Sequence, residues 1–133
     1  MDVFVIDAEA AVELARRDFT VGEDREVFAP TLLRSQVLAN CLSAVLTDRA
    51  KAAEALQLAE RACRLPRRLL GDAVLRRNAF MLAAEQGWSD TFDAEYIALT
   101  KLHGVALVAG APALRERAEP IVPTITVEAF AGR

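Results

Sequence analysis

The chain has 133 residues, 53% of them hydrophobic, and a formal net charge of −3. That length fits one compact domain over residues 1–133 with apolar content enough for a core, which excludes a disordered chain. No apolar run reaches the roughly 20 residues that span a bilayer, and the start MDVFVIDAEA has no basic leader, so a cytoplasmic protein with no membrane partner is expected.

VFVID, residues 3–7, is a short β-branched run ending in Asp7 and reads as a buried parallel strand. A helical pattern runs on from Ala8 to about Arg17. Residues 18–26 are polar, contain Gly22, and read as a loop. Pro30 suits the first position of a helix, carried on at helical spacing by Leu33, Gln36, Val37, Asn40 and Cys41. Thr47 is placed to cap the next helix, about 48–62. Pro66 interrupts the arginine-rich stretch after that helix, and a short strand is expected around Cys63–Leu65. Leu69–Gln86 reads as a helix stopped by Gly87, and another helix runs from about Asp90 to Leu102 before Gly104. VALVA, residues 105–109, is the second clear buried strand. Gly110-Ala111-Pro112 turns into a short helical piece, and Ile121–Val122 with Thr124–Val127 supply a last, edge-like strand restricted by Pro123.

Strands separated by helices predict an α/β domain, a mainly parallel central sheet flanked by helices. Sites in such sheets form beyond the C-terminal ends of the strands. That rule singles out the loops after Asp7 and after VALVA.

Few residue types with catalytic chemistry are available. Cys41 and Cys63 are the only cysteines and read as small core residues; His103, the only histidine, reads as a helix-end residue. A His-based zinc site and a Ser-His-Asp triad are not expected. The segment RACRLPRRLLGDAVLRR, residues 61–77, holds Arg61, Arg64, Arg67 and Arg68 before its one acid, Asp72. Such a segment is either a phosphate-attracting patch or a solvated surface.

WSDTFDAEYIALT, residues 88–100, poses a second choice. Ser89, Asp90 and Asp93 suit a helix start, by capping and by compensating the helix dipole. Asp93 also suits an acidic pocket shared with Asp7, which is itself placed to cap the helix from Ala8. Tyr96 reads as packing with its hydroxyl near that pocket, and Trp88 as a core or dimer-contact residue.

Three stretches together resemble the PIN-domain family, and in particular the toxin ribonucleases of VapBC toxin–antitoxin pairs. They are VFVIDAEAAVEL, APTLLRSQVLANCL and WSDTFDAEYIALTKLHGVALV. The resemblance covers nearly the whole chain. It implies a VapC-like endoribonuclease, a hydrolase dependent on Mg²⁺ or Mn²⁺, because hard cations held by oxygen ligands activate water and stabilise charge on a scissile phosphate. By resemblance Asp7 and Asp93 are metal ligands, with Asp90 or Glu9 as local substitutes, and Asp7, Gln36 and Asp93 form the catalytic set. RNA, met through Arg61, Arg64, Arg67 and Arg68, an antitoxin-type protein and a second copy of the chain are the implied partners.

The sequence departs from the family at two acidic positions. Gln36 stands where a glutamate is expected, and Ala111 is closest to the register of an aspartate. Loss of groups that support a metal costs roughly 10–100-fold. The alternative is therefore a catalytically degenerate PIN domain that acts as an RNA- or antitoxin-binding module.

Overall fold

The computed structural model describes residues 1–47 and 50–132. Strands β1 (Asp2–Ile6), β2 (Arg25–Pro30), β3 (Arg68–Leu70), β4 (Ala106–Val108) and β5 (Thr124–Ile125) form one sheet in the order β3-β2-β1-β4-β5. Every pairing is parallel. The helices are α1 (Ala8–Arg16), α2 (Leu32–Leu46), α3 (Ala52–Arg64), α4 (Ala73–Gln86), α5 (Phe92–His103), α6 (Pro112–Ala118) and α7 (Val127–Ala131). The α/β expectation holds. Among the described residues no helix is long and apolar enough to cross a membrane.

The strand order places the site. From β1 the chain builds outward to β2 and β3, then returns to the other side of β1 for β4 and β5. Neighbouring β1 and β4 therefore lead into connections that diverge, and a crevice opens beyond their C-terminal ends. Ile6 pairs with Val108, so Asp7 and the Ala109–Ala111 loop leave the sheet side by side.

β1 and β4 are apolar runs because both faces of a parallel sheet are covered. Val5, Ile6, Leu107 and Val108 are fully buried. At the opposite edge Phe130 of α7 packs against Phe4 (ring centroids 5.1 Å) and Phe19 (5.5 Å), and Arg25 lies 4.3 Å from its ring centroid. Cys41 is buried and Cys63 half-buried, both are free, and burial raises both thiol pKa values; they serve as core residues.

Several expected elements differ. Residues 25–30 form β2, not the end of a loop and a helix start. Pro30 ends that strand, and the amide of the next residue, Thr31, donates to Leu70 O (3.0 Å). Thr47 ends α2 instead of capping its successor, its hydroxyl donating to Ser43 O (3.0 Å) and Ala44 O (3.2 Å). α3 begins only at Ala52 and runs on to Arg64, with Leu65 as its C-cap, where a strand at Cys63–Leu65 was expected; residues 48 and 49 lie outside the described residues. The true strand lies beyond Pro66, at Arg68–Leu70. Consequently α4 begins at Ala73, capped by Asp72, whose carboxylate accepts from Leu75 N (2.9 Å). Gly87 ends it as expected, at φ 73°, in the left-handed region. The last strand is only Thr124–Ile125. The Thr126 hydroxyl accepts from Ala129 N (3.1 Å) and starts α7 at Val127, while Ile121 and Val122 turn back after α6, their amides donating to Ala118 O.

Candidate functional site

Asp7 is the first residue beyond β1 and the N-cap of α1. Its Oδ1 accepts from Ala10 N (2.8 Å). The same oxygen also accepts from Gly110 N (2.9 Å), and Oδ2 accepts from Ala111 N (2.9 Å). One carboxylate thus ties the start of α1 to the β4–α6 loop. Gly110 is what permits it: a Cβ there would meet Ala10 N at 2.6 Å and Glu9 Cβ at 2.9 Å. Asp7 is 3% exposed, and that burial raises its pKa. The N–H bonds from Ala111, Gly110 and Ala10 and the charge of Arg115 oppose the rise.

α2 and α5 supply the facing wall. The Tyr96 hydroxyl donates to Gln36 Oε1 at 2.6 Å. Burial, then the carboxylates of Asp7, Glu95 and Asp93, hold the phenol well above its usual pKa, so it remains a donor. Gln36 therefore has its amide oxygen committed to Tyr96.

Asp93, in the first turn of α5, pairs with Arg117 of α6 (3.1 Å). The Arg117 guanidinium lies 4.7 Å from the Trp88 ring centroid. Trp88 thus meets a cation from its own chain.

Asp7, Glu9, Gln36, Asn40, Asp93, Tyr96 and Ala111 line one cavity of about 390 Å³ at the C-terminal edge of the sheet. The expected catalytic trio of Asp7, Gln36 and Asp93 is brought together. Asp90 is not: it is exposed, lies outside that lining, and its Oδ1 accepts from Phe92 N (3.0 Å) in the turn into α5. Its expected metal role gives way to a local one. Ser89 likewise yields the cap position to Thr91, whose hydroxyl donates to Glu95 Oε2 (3.1 Å).

None of Arg61, Arg64, Arg67 and Arg68 lines the cavity. Arg61 and Arg64 lie in the last turn of α3. Arg67 is ion-paired with Glu26, beside Met1 and Gly22 at the N-terminal edge of the sheet. Arg68 lies 5.3 Å from the Phe28 ring centroid.

Sequence reasoning missed Asn40 as a cavity residue, the Gly110 contact and Arg117. The glycine carried a signal, since it succeeds a buried strand where a backbone must approach closely. Arg117 carried none, being 24 residues from its partner.

No protein-family model matches the sequence, and no curated protein matches it. Among solved structures the chain is similar to PAE2754 from Pyrobaculum aerophilum, with a TM-score of 0.75 and 20% identity over 99% of this chain and 96% of that one. The two share a fold. At that identity the likeness carries no activity across.

The donor set does not suit a resident Mg²⁺ or Mn²⁺. Such ions keep several waters and take one or two carboxylates from the protein, which must have oxygens free to coordinate. Among the described residues no group of three or more His, Cys, Asp or Glu is arranged to hold a metal ion. Both oxygens of Asp7 already accept backbone N–H bonds, Asp93 has a guanidinium, and Ala111 offers only a methyl group.

Proposed function

We propose that this chain is a VapC-like PIN-domain protein whose site no longer hydrolyses RNA, and that it works as a binding module for an antitoxin-type protein. The observation that carries the reading is the Asp7 carboxylate, bound by three backbone N–H groups where an open acidic ligand would be needed.

The surroundings favour a protein partner over RNA. Glu9 and Asn40 continue from the Asp7 cavity into a second of about 260 Å³ that also meets Glu13 and Glu128. Arg16 and Asn40 continue into a third, of about 440 Å³, which contains Glu54. Beyond it Leu38, Leu42 and Leu56 line an apolar groove between α2 and α3. Along this path Asp7, Asp93, Glu9, Glu13, Glu54 and Glu128 outnumber the arginines Arg16, Arg61 and Arg115, a balance that disfavours a phosphate backbone and suits a segment that is basic at one end and apolar at the other.

A second reading, metal-dependent endoribonuclease, is favoured by one observation: Asp7, Gln36 and Asp93 converge at the switch point of the sheet. One experiment separates the two. Single-stranded RNA is incubated with the chain in Mg²⁺ or Mn²⁺ and in chelator, and a basic–apolar peptide is titrated in parallel. The binding-module reading expects peptide binding and no metal-dependent cleavage. Cleavage that disappears in Asp93→Asn returns the chain to the ribonucleases.

A further inference from the structure

Apart from the Ala10 N–H of α1, the groups that neutralise this cavity come from one short stretch of chain. The N–H groups of Gly110 and Ala111 bind the two oxygens of Asp7, each at 2.9 Å. Farther along, in the last turn of α6, Arg117 Nη1 donates to Asp93 Oδ2 at 3.1 Å. Carboxylates brought into one pocket repel unless something cationic lies between them or beside them. Here a side chain of the protein supplies that charge.

Arg117 is also held for the task. A free arginine loses rotamer entropy when it pairs, which is why exposed ion pairs contribute little to stability. Trp88, half-buried beyond the end of α4, presents its ring 4.7 Å from this guanidinium, and a planar cation stacks there while its edge still donates. Three elements therefore fix the pair: α4 ends at the ring, α5 begins at the carboxylate, and α6 carries the cation.

We infer that Arg117, outside the cavity lining but paired with its Asp93, is the cation that serves the site: its guanidinium, held over the Trp88 ring, neutralises Asp93 in place of a divalent ion and disfavours divalent metal there. The inference rests on the reading of the site as non-hydrolytic and says what keeps it so. Two consequences separate it from an ordinary surface ion pair. A weak divalent affinity, below that of a resident metal site, is latent in Asp93 and its neighbours, and it depends on the charge at position 117 more than on its shape.

The test is calorimetric titration of the full chain with MnCl₂. The Arg117 side chain is 43% exposed, so substitution there leaves the fold intact, and Arg117→Ala and Arg117→Gln serve as independent neutral variants. Both bind Mn²⁺ at least about tenfold more tightly than wild type, a change of the size that supporting groups around a metal produce. Arg117→Lys keeps the charge and stays as weak as wild type. Adding Asp93→Asn to Arg117→Ala removes the gain. Wild type binding as tightly as Arg117→Ala, neutral variants with no gain, or a gain that survives Asp93→Asn would each overturn the inference. Wild-type Mn²⁺ binding without RNA cleavage would sink only this inference, whereas wild-type RNA cleavage would sink the functional reading beneath it.

Discussion

Asp7 is where a structural role and a metal role make opposite predictions. Removing a bare metal ligand relieves repulsion and stabilises a protein free of metal. Removing Asp7 instead leaves the amides of Ala10, Gly110 and Ala111 without their acceptor, in a place where Asp7 itself is 3% exposed. Asp7→Ala is expected to cost roughly 3 kcal/mol, the loss of charge-assisted bonds plus stranded donors, read from urea denaturation in chelator. An unchanged or higher stability would restore the metal role. The sign of the pH effect comes from burial. Folding raises the Asp7 pKa, so the folded state takes up a proton at a higher pH than the unfolded chain. Its contribution to stability is most favourable at low pH and declines as pH rises from the ordinary carboxylate range through the raised folded value. Asp7→Asn abolishes that slope in a series of denaturation midpoints. The sequence pointed to Asp7 as a cap, and that role holds, since a carboxylate just before a helix start can accept from its first amides. It could not show the bonds from Gly110 and Ala111, because those amides arrive from 103 and 104 residues away.

Elements were legible where hydrophobic periodicity was strong and illegible where a neighbour decided. β1, β4 and α5 stand out because both faces of each are buried, which writes an apolar run into the sequence. β2 stays hidden: Arg25 and Glu26 open it and Pro30 closes it, and only its place between β1 and β3 makes it a strand. β3 is three residues among arginines, with no periodicity to read. At this scale the β4–α6 loop gives the sharpest prediction. Gly110→Ala would place a methyl group 2.6 Å from Ala10 N, so the loop must lift from α1. The expected loss is about 2–3 kcal/mol, from overpacking and the weakened bonds to Asp7. Amide hydrogen exchange at Ala111 should accelerate together with that loss. A neutral Gly110→Ala with protected Ala111 would mean that the loop does not depend on this close approach. Repair of the acidic set belongs here too, since it joins α2 to the same loop. Gln36→Glu with Ala111→Asp should melt lower than wild type in chelator and recover more in Mn²⁺, because a ligand that binds only the folded state stabilises it. Equal responses of the two proteins would show that positions 36 and 111 do not share a site.

At the scale of the whole molecule the unexplained feature is α4. Its inner face buries Leu75, Ala79, Leu82 and Ala83, as a helix packed on α5 must. Its outer face mixes charge with large apolar side chains: beside Arg76 and Arg77, Val74 is 53% exposed, Phe80 64% and Met81 52%. An amphipathic helix on a monomer's surface turns charge outward, so the face calls for a cover. The second copy implied by the resemblance would fit it, because the face can complement itself. Ala73, Arg77, Phe80 and Ala84 succeed one another along the helix at spacings of three and four. Two such rows laid antiparallel about a two-fold axis set Ala73 against Ala84 and Arg77 against the Phe80 ring of the other copy, a cation–π contact made twice. None of this was visible in the sequence, where residues 69–86 read simply as a helix and Trp88 was the dimer-contact candidate. Which of a helix's apolar residues face outward is known only once the rest of the fold shows which side is left open. Light scattering in line with size exclusion should give the mass of two chains for wild type. Phe80→Asp places a charge at the centre of the seam and should give the mass of one, with unchanged helical content by circular dichroism. Leu56→Asp is the control. Leu56 is equally apolar and 51% exposed, but it lines the α2–α3 groove proposed to receive a protein partner. It should leave the dimer whole and weaken the basic–apolar peptide, while Phe80→Asp should spare the peptide. A wild type that runs as one chain, or a Phe80→Asp dimer, would mean that α4 meets no second copy. Loss of the dimer in Leu56→Asp would exchange the two surfaces, putting the second copy on α2–α3 and leaving the partner to α4.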